Sequence, residues 1–109
     1  MLIPMNDVDV FSALSNPVRR QLLVRLMHGP RAAGDLAHGF KIGRPAVSEH
    51  LQVLRRAHLV REEPRGRERY YHLDPRPLSE VEAWIGEFSR FWKERLQALE
   101  AVLNEETKT

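Results

Sequence analysis

The 109-residue sequence contains no cysteine. This absence excludes disulfide bonds, thiolate metal ligands, cysteine nucleophiles and redox sensing by thiols. The chain also has no apolar run approaching the roughly 20 residues that a membrane-spanning helix needs. Residues 1–5 are mostly apolar, but they lack the basic region and the long hydrophobic region of a secretory signal. We therefore expect a cytoplasmic protein that does not span a membrane.

Catalytic and metal-binding motifs are missing as well. The serine, histidine and aspartate residues form no nucleophile elbow and no catalytic grouping in the sequence. The 5 histidines include no pair at positions i and i+4, a spacing that zinc ligands on a helix often have. We expect no enzymatic activity, no cofactor and no metal site within one chain, and a metal site shared between subunits stays open.

Charge of one sign does not dominate, because the formal net charge is only +2. The basic residues are nevertheless unevenly distributed. Residues 41–69 contain eight basic and four acidic side chains, whereas acidic residues outnumber basic ones after Leu78. Attraction to phosphates helps only where it is directed, so a basic middle segment is typical of a DNA-binding face. A solvated arginine-rich surface explains the distribution equally well.

Two short helices are predicted near the start of the chain. Val8, Phe11 and Leu14 lie on one face of the first helix. The second helix begins at Asn16 and Pro17, a capping residue followed by proline in the first turn, and it ends at a Gly-Pro pair. Both helices have apolar faces with which they can pack in a small core.

A helix-turn-helix motif follows these two helices. A brief third helix over residues 32–38 leads through a glycine-bearing turn into a fourth helix over residues 44–57. Val47, Leu51 and Leu54 share the apolar face of the fourth helix. Its opposite face carries Pro45, Ser48, Glu49, Gln52 and Arg56. Such a motif can place its second helix in the major groove of DNA.

Residues 59–73 have the pattern of a β-hairpin, with turn chemistry in the Pro-Arg-Gly-Arg segment at its tip. Tyr71 and Leu73 share a face and are expected to pack on the core. Arg69 is expected to point outward beside the arginines of the tip. A proline-rich break after the hairpin separates it from the last element.

The last predicted element is one long helix over residues 78–103. Its apolar band is wider than one small domain needs to bury, and an apolar patch of this size indicates an interface. A two-fold homodimer in which the first helix takes part explains it most simply. The residues expected in this interface are Val8, Phe11, Val81, Trp84, Ile85, Phe88, Phe91, Trp92, Leu96, Leu99 and Leu103. Two alternatives stay open: the helix folds back in a monomer, or its aromatic residues line a ligand pocket.

The combined pattern resembles the ArsR/SmtB family of bacterial winged-helix repressors. The segments that carry the resemblance are residues 14–20 (LSNPVRR), 44–54 (RPAVSEHLQVL), 57–60 (AHLV) and 66–73 (GRERYYHL). The resemblance extends over about residues 8–103. The expected fold is mostly α with a small β-hairpin: a single winged helix-turn-helix domain over residues 1–109 with a long C-terminal dimerisation helix.

The resemblance also bears on sensing. Metal-sensing members of the family use cysteines in the third helix or His, Asp and Glu ligands in the terminal helix. This chain has no cysteine and no histidine after His72, so it is similar to a type that does not sense metals. The resemblance implies a homodimer that occludes an operator and is released by a signal. Whether that signal is a small molecule, a protein or a metal held between subunits stays open.

The resemblance places the fourth helix in the major groove, and the arginines of the hairpin beside it. The residues expected to contact DNA are Arg44, Pro45, Ser48, Glu49, His50, Gln52, Arg55, Arg56, Arg65, Arg67 and Arg69. Arg44, Ser48 and Gln52 suit base edges or phosphates. The hairpin arginines suit the minor groove, phosphates or mere solvation. Glu49 accepts from a cytosine amine or only restrains an arginine, and His50 is a packing or phosphate residue.

We therefore predict a sequence-specific DNA-binding transcriptional regulator, a homodimeric repressor of a pseudo-palindromic operator. The alternative is a winged-helix module that binds another protein and has no specific DNA binding. Replacement of Arg65 and Arg67 by alanine discriminates the two, because it leaves the activity of a protein-binding module unchanged.

Overall fold

The computed structural model describes residues 8–107, which fall into two compact units that divide between Ser79 and Glu80. The elements in chain order are α1 (Val10–Ala13), α2 (Pro17–Leu26), β1 (Arg31–Ala32), α3 (Ala33–Ala37), α4 (Arg44–Arg56), β2 (Val60–Arg65), β3 (Glu68–Leu73) and α5 (Leu78–Thr107). The strands form one antiparallel sheet in the order β1-β3-β2. The helical content, the small sheet and the long last helix confirm the expected fold class.

Helix α1 begins later than the sequence predicts. Asp9 caps it, and the Asp9 carboxylate accepts a hydrogen bond from the backbone N–H of Phe11 at 3.4 Å. Val8 therefore precedes the helix, and Leu14 is its C-terminal cap. The prediction that all three apolar residues lie on the helix is wrong, because the capping carboxylate at Asp9 shortens it to a single turn.

Helix α2 begins as predicted. The Asn16 side-chain oxygen accepts from the backbone N–H groups of Val18 at 2.8 Å and Arg19 at 3.2 Å. Pro17 occupies the first helical position, where its missing N–H would have no partner in the helix. The capping side chain and the proline together fix the start of α2.

The helix-turn-helix consists of α3, the turn over residues 38–43 and α4. Val47, Leu51 and Leu54 on α4 are buried, with exposed fractions of 1%, 0% and 0%, so the predicted apolar face is confirmed. Gly43 caps α4 without a side-chain hydrogen bond. The three apolar residues of α4 and three leucines from other segments are the largest fully buried side chains of the first unit: Val47, Leu51, Leu54, Leu22, Leu36 and Leu59.

The sheet contains one strand that the sequence did not predict. β1 has only two residues, and it pairs Arg31 with Tyr71 and Ala32 with Tyr70. The hairpin also reaches farther than expected: β2 extends to Arg65, and the turn contains only two residues. Pro64 fits inside β2 because this strand lies at the edge of the sheet, where a missing N–H is tolerated.

Helix α5 contains 30 residues and runs four residues beyond the predicted end. At a rise of 1.5 Å per residue it is about 45 Å long. None of its residues is buried within the single chain. Among residues 8–107, no helix is both long and apolar enough to span a bilayer.

Candidate nucleic-acid interface

A groove of about 350 Å³ separates α4 from the β2–β3 hairpin. We call this the α4–hairpin groove. Its lining residues are Ala33, Arg44, Ser48, Gln52, Arg67, Glu68, Arg69 and Tyr71. Five residues that the sequence predicts to contact DNA therefore lie around one concavity, although they come from two segments of the chain. Three of them are arginines and two are neutral polar side chains.

Arg44 occupies the first turn of α4 and is exposed. Its guanidinium lies above the start of α3, because a Cβ atom placed on Gly34 would be 3.9 Å from the Arg44 Cζ. A glycine at position 34 therefore leaves open space beside this guanidinium. Pro45 and Glu49 are also exposed on α4, and Ser48 is half-buried.

Arg25, which the sequence analysis did not single out, holds the turn between α3 and α4. Its Nη1 donates to the backbone carbonyls of Leu36 at 2.8 Å and His38 at 2.7 Å. Its guanidinium carbon lies 4.2 Å from the centre of the Phe40 ring. These contacts satisfy two carbonyls at the end of α3, which would otherwise need water. No periodicity in the sequence indicates this role.

His50 joins α4 to the N-terminal helices. Its Nδ1 lies 3.2 Å from Nη1 of Arg19, and Arg19 also donates to the backbone carbonyls of Ala13 at 2.7 Å and Ser12 at 3.1 Å. Arginine can only donate, so Nδ1 accepts and the imidazole proton is on Nε2. Burial and the positive charge of Arg19 lower the pKa of His50 below its usual 6.5, against a smaller raising effect of Glu49. His50 therefore has a packing role in the folded chain.

Glu62 on β2 collects four side chains from α4 and β3. Gln52 Nε2 donates to Glu62 Oε1, and the Tyr71 hydroxyl donates to the same oxygen at 3.3 Å. Arg69 Nη1 lies 3.2 Å from Glu62 Oε2, and Arg55 Nε lies 3.5 Å from Oε1. Burial, followed by the charge of Glu62, raises the pKa of Tyr71, so its hydroxyl remains a donor. We call these five residues the Glu62 cluster.

The Glu62 cluster adds a contact to Arg69, which the sequence predicts to point outward beside the arginines of the tip. Its side chain is 66% exposed, and it lines the groove together with Arg67. Residues two apart on a strand share a face, so Arg69 and Tyr71 both lie on the side that faces α4. Gln52 is half-buried, and both ends of its amide are hydrogen-bonded within the protein.

The hairpin tip carries two further arginines. Arg67 is exposed in the turn. Arg65 is paired with Glu63, and its guanidinium carbon lies 4.4 Å from the centre of the Tyr70 ring. The hydrogen bond from Arg65, followed by that from His72, lowers the pKa of Glu63. Arg65 is therefore partly neutralised, and Arg67 is the more available cation.

Not every predicted contact residue lines the α4–hairpin groove. Arg55 lines a separate cleft of about 570 Å³ at the C-terminal end of α4, together with His58, Arg61 and Arg76. Arg56 is exposed at the same end of α4. The DNA contacts of Arg55 and Arg56 stay predictions. Within residues 8–107, no three His, Asp or Glu side chains come together as a metal ligand set would.

Comparison with known proteins relates this arrangement to a family. Residues 16–62 match the family model described as bacterial regulatory protein, arsR family. The chain is 40% identical over 96 residues to the HTH-type transcriptional regulator Rv2034 of Mycobacterium tuberculosis, covering 88% of this chain and 87% of the relative. It is 36% identical over 80 residues to the transcriptional repressor SdpR of Bacillus subtilis, covering 73% of this chain and 89% of that protein.

Solved structures give the same result. A crystal structure described as a possible transcriptional regulator for arsenical resistance superposes with a TM-score of 0.72 at 37% identity, covering 84% of this chain and 95% of the other. An ArsR family transcriptional regulator superposes with a TM-score of 0.70 at 33% identity, covering 78% of this chain and 93% of the other. From its sequence and from its fold, the chain belongs to the ArsR family of bacterial regulatory proteins.

Proposed function

We propose that the protein is a transcriptional repressor that binds a specific DNA sequence as a homodimer. The α4–hairpin groove carries the proposal. It brings Arg44, Arg67 and Arg69 around Ser48 and Gln52. Guanidinium groups bind phosphates and guanine edges, whereas neutral polar side chains add little to electrostatic attraction and suit the reading of bases.

The proposed binding mode follows from the two elements that border the groove. Helix α4 enters the major groove with its N-terminal half, where Arg44 and Ser48 lie one turn apart. The hairpin then lies over the adjacent backbone, where Arg67 binds phosphates or the minor groove. The family is one of transcriptional regulators rather than enzymes. The Bacillus subtilis relative SdpR is named as a transcriptional repressor, which further supports repression.

The homodimer is proposed from α5. Phe88, Trp92 and Leu96 are exposed by 42%, 59% and 58% in the single chain. Burial of such an apolar surface against a second copy of the chain is favourable. In a two-fold dimer, the same surface is buried on both copies. Two copies of α4 then read half-sites about one helical turn apart, roughly 34 Å. The operator is accordingly expected to be a pseudo-palindrome.

Selection from a pool of random DNA duplexes tests this function. The full chain is expected to enrich an imperfect inverted repeat. Titration of the selected duplex and of a scrambled duplex of equal length, at several salt concentrations, then measures specificity. We expect binding of both duplexes to weaken with salt, and the selected duplex to bind roughly 1,000-fold tighter or more. Enrichment of no sequence, together with equal binding of both duplexes, contradicts the proposal.

A further inference from the structure

Glu62 is an acidic side chain at the centre of a surface that otherwise suits a polyanion. It lies opposite Tyr71 on the neighbouring strand, and its side chain is only 19% exposed. A carboxylate close to a phosphate-binding groove weakens electrostatic attraction to DNA. Its contacts with Gln52, Arg55 and Arg69 indicate two contributions to the specificity of DNA binding that offset this loss of attraction.

The first contribution concerns the orientation of the Gln52 amide. A glutamine amide has two donor hydrogens and two acceptor lone pairs. In Gln52, Nε2 donates to Glu62, and Oε1 accepts from Nε of Arg55 at 2.9 Å. The Gln52 amide also hydrogen-bonds to Tyr71, so a lone pair on Oε1 is the group that remains, and it suits an exocyclic amine of a base such as that of adenine. Glu62 accepts and cannot donate, so it permits only one of the two amide orientations.

The second contribution concerns cations. Glu62 contacts the guanidinium groups of both Arg55 and Arg69, whose side chains are 50% and 66% exposed. Arginines free to turn toward any phosphate increase the affinity for every sequence alike. Pairing with one central carboxylate restrains both of them, and non-specific binding is weakened more than specific binding.

We propose that Glu62 is a positioning residue that determines DNA specificity: it fixes the amide of Gln52 for base reading and restrains Arg55 and Arg69 from indiscriminate phosphate binding. This inference rests on the proposed function, because it assigns a role within sequence-specific DNA binding. It adds a residue that has no expected contact with DNA of its own.

The test compares Glu62→Gln with the wild-type chain on the duplex that the wild type selects, on its single-base-pair variants and on a scrambled duplex. The base pair that Gln52 reads is defined first, as the position where Gln52→Ala loses most discrimination. At that position, Glu62→Gln is expected to lose about tenfold in discrimination. Its salt dependence becomes steeper, by about 0.9 in the logarithmic slope for each arginine that gains a phosphate.

Two further variants separate the two contributions. Glu82→Gln removes the same charge from an exposed side chain of α5 that does not line the α4–hairpin groove, and its discrimination at that base pair is expected to stay within about twofold of the wild type. Glu62→Asp keeps the charge but is one methylene shorter. We expect it to lose discrimination without the steeper salt dependence, and it also provides a test if Glu62→Gln does not fold.

A double-mutant cycle completes the test. In the Gln52→Ala background, Glu62→Gln is expected to have no further effect on discrimination at that base pair, because the residue through which it acts is absent. Wild-type discrimination in both Glu62 variants overturns this inference while leaving the proposed function intact. Failure of the wild type to select any sequence overturns the proposed function itself.

Discussion

At the level of single residues, His50 shows that a side chain predicted to contact DNA also makes contacts within the fold. Its Nδ1 accepts from Arg19, which in turn donates to two carbonyls of the α1 region. Protonation at Nδ1 would place a hydrogen between two donors and add a positive charge beside Arg19. The neutral form is therefore the one that the folded chain favours.

The lowered pKa of His50 predicts a dependence of stability on pH. The folded pKa lies below the unfolded value of 6.5, so the unfolded chain binds more protons in the window between the two. The free energy of unfolding contributed by His50 is therefore fully present above pH 6.5 and is lost as the pH falls through the folded pKa.

Urea unfolding of His50→Gln and of the wild type at pH 7.5 and pH 5.5 measures this contribution. The wild type is expected to lose more stability between the two pH values than the variant does. His28→Gln, which changes an exposed histidine, is the control and should retain the wild-type difference. Equal pH dependence of His50→Gln and the wild type contradicts the assignment.

Arg67 is the residue for which a simple electrostatic effect is expected. It is exposed in the hairpin turn and lines the α4–hairpin groove. Arg67→Ala should weaken binding to the selected and scrambled duplexes alike, and should reduce the logarithmic salt slope by about 0.9, the value for one phosphate contact. Arg90→Ala removes an exposed cation from α5 and is the control. An unchanged salt slope for Arg67→Ala would place this arginine away from DNA.

The roles of individual residues were the least predictable part of the molecule. Sequence reasoning brought Arg44, Ser48 and Gln52 to one helix face because helical periodicity determines that face. It missed Glu62 and Arg25, since their partners are distant in sequence and depend on how α4, the hairpin and the interhelical turn pack. An acidic residue two positions from a core-facing position on a strand gives no signal of its own.

At the level of elements, the hairpin turn depends on one backbone conformation. Gly66 has a φ of +61°, in the left-handed region, and a Cβ atom there would meet no atom within 4 Å. The cost of a side chain at this position is therefore conformational and does not come from a clash. The turn contains only Gly66 and Arg67, so few backbone torsions are available to accommodate a change at Gly66.

Gly66→Ala is expected to lower the free energy of unfolding by about 1 kcal/mol, the usual cost of a left-handed conformation at a non-glycine residue. Gly86→Ala is a matched control, because Gly86 lies inside α5 with a helical φ and open space around it. There the same substitution should raise helix stability by up to about 1 kcal/mol. Urea unfolding measures both, and effects of the same sign would contradict this account.

Elements with strong local signals were predicted well. Asn16 and Pro17 mark the start of α2, and the apolar spacing of α4 places its ends within one residue of those observed. β1 was missed because two residues are too short for any periodicity, and its existence depends on pairing with β3. The start of the hairpin turn shifted by two residues because Pro64 is typical of a turn, whereas an edge strand accommodates it; β3 begins at Glu68 as predicted.

At the level of the whole molecule, self-association depends on α5. Its apolar residues recur along the helix, and Ile85, Phe88, Trp92 and Leu99 are each exposed by 42–59% in the single chain. Periodicity in the sequence predicted this band correctly. It does not determine which surface covers the band, so the homodimer and the single-domain organisation stay predictions.

Trp92→Glu tests the homodimer. A carboxylate on the apolar band is expected to leave single chains at micromolar concentration, because two buried carboxylates would face each other across a two-fold interface. Sedimentation velocity distinguishes the single chain from the dimer. Lys93→Glu introduces the same side chain at the next position of α5 and should remain dimeric. A wild-type chain that sediments only as a monomer, even with the selected duplex present, contradicts the arrangement.

Pro64 in the edge strand β2 has a consequence for aggregation at high protein concentration. Arg65 and Glu68 close the two-residue turn as a hydrogen-bonded pair, so the next pair, Pro64 and Arg69, has its backbone groups directed away from each other. The nitrogen of Pro64 thus lies on the free margin of β2 and has no hydrogen to offer. A strand of another molecule that paired with β2 at this point would have one backbone carbonyl without a hydrogen-bond donor. This disfavours edge-to-edge pairing between copies and therefore aggregation.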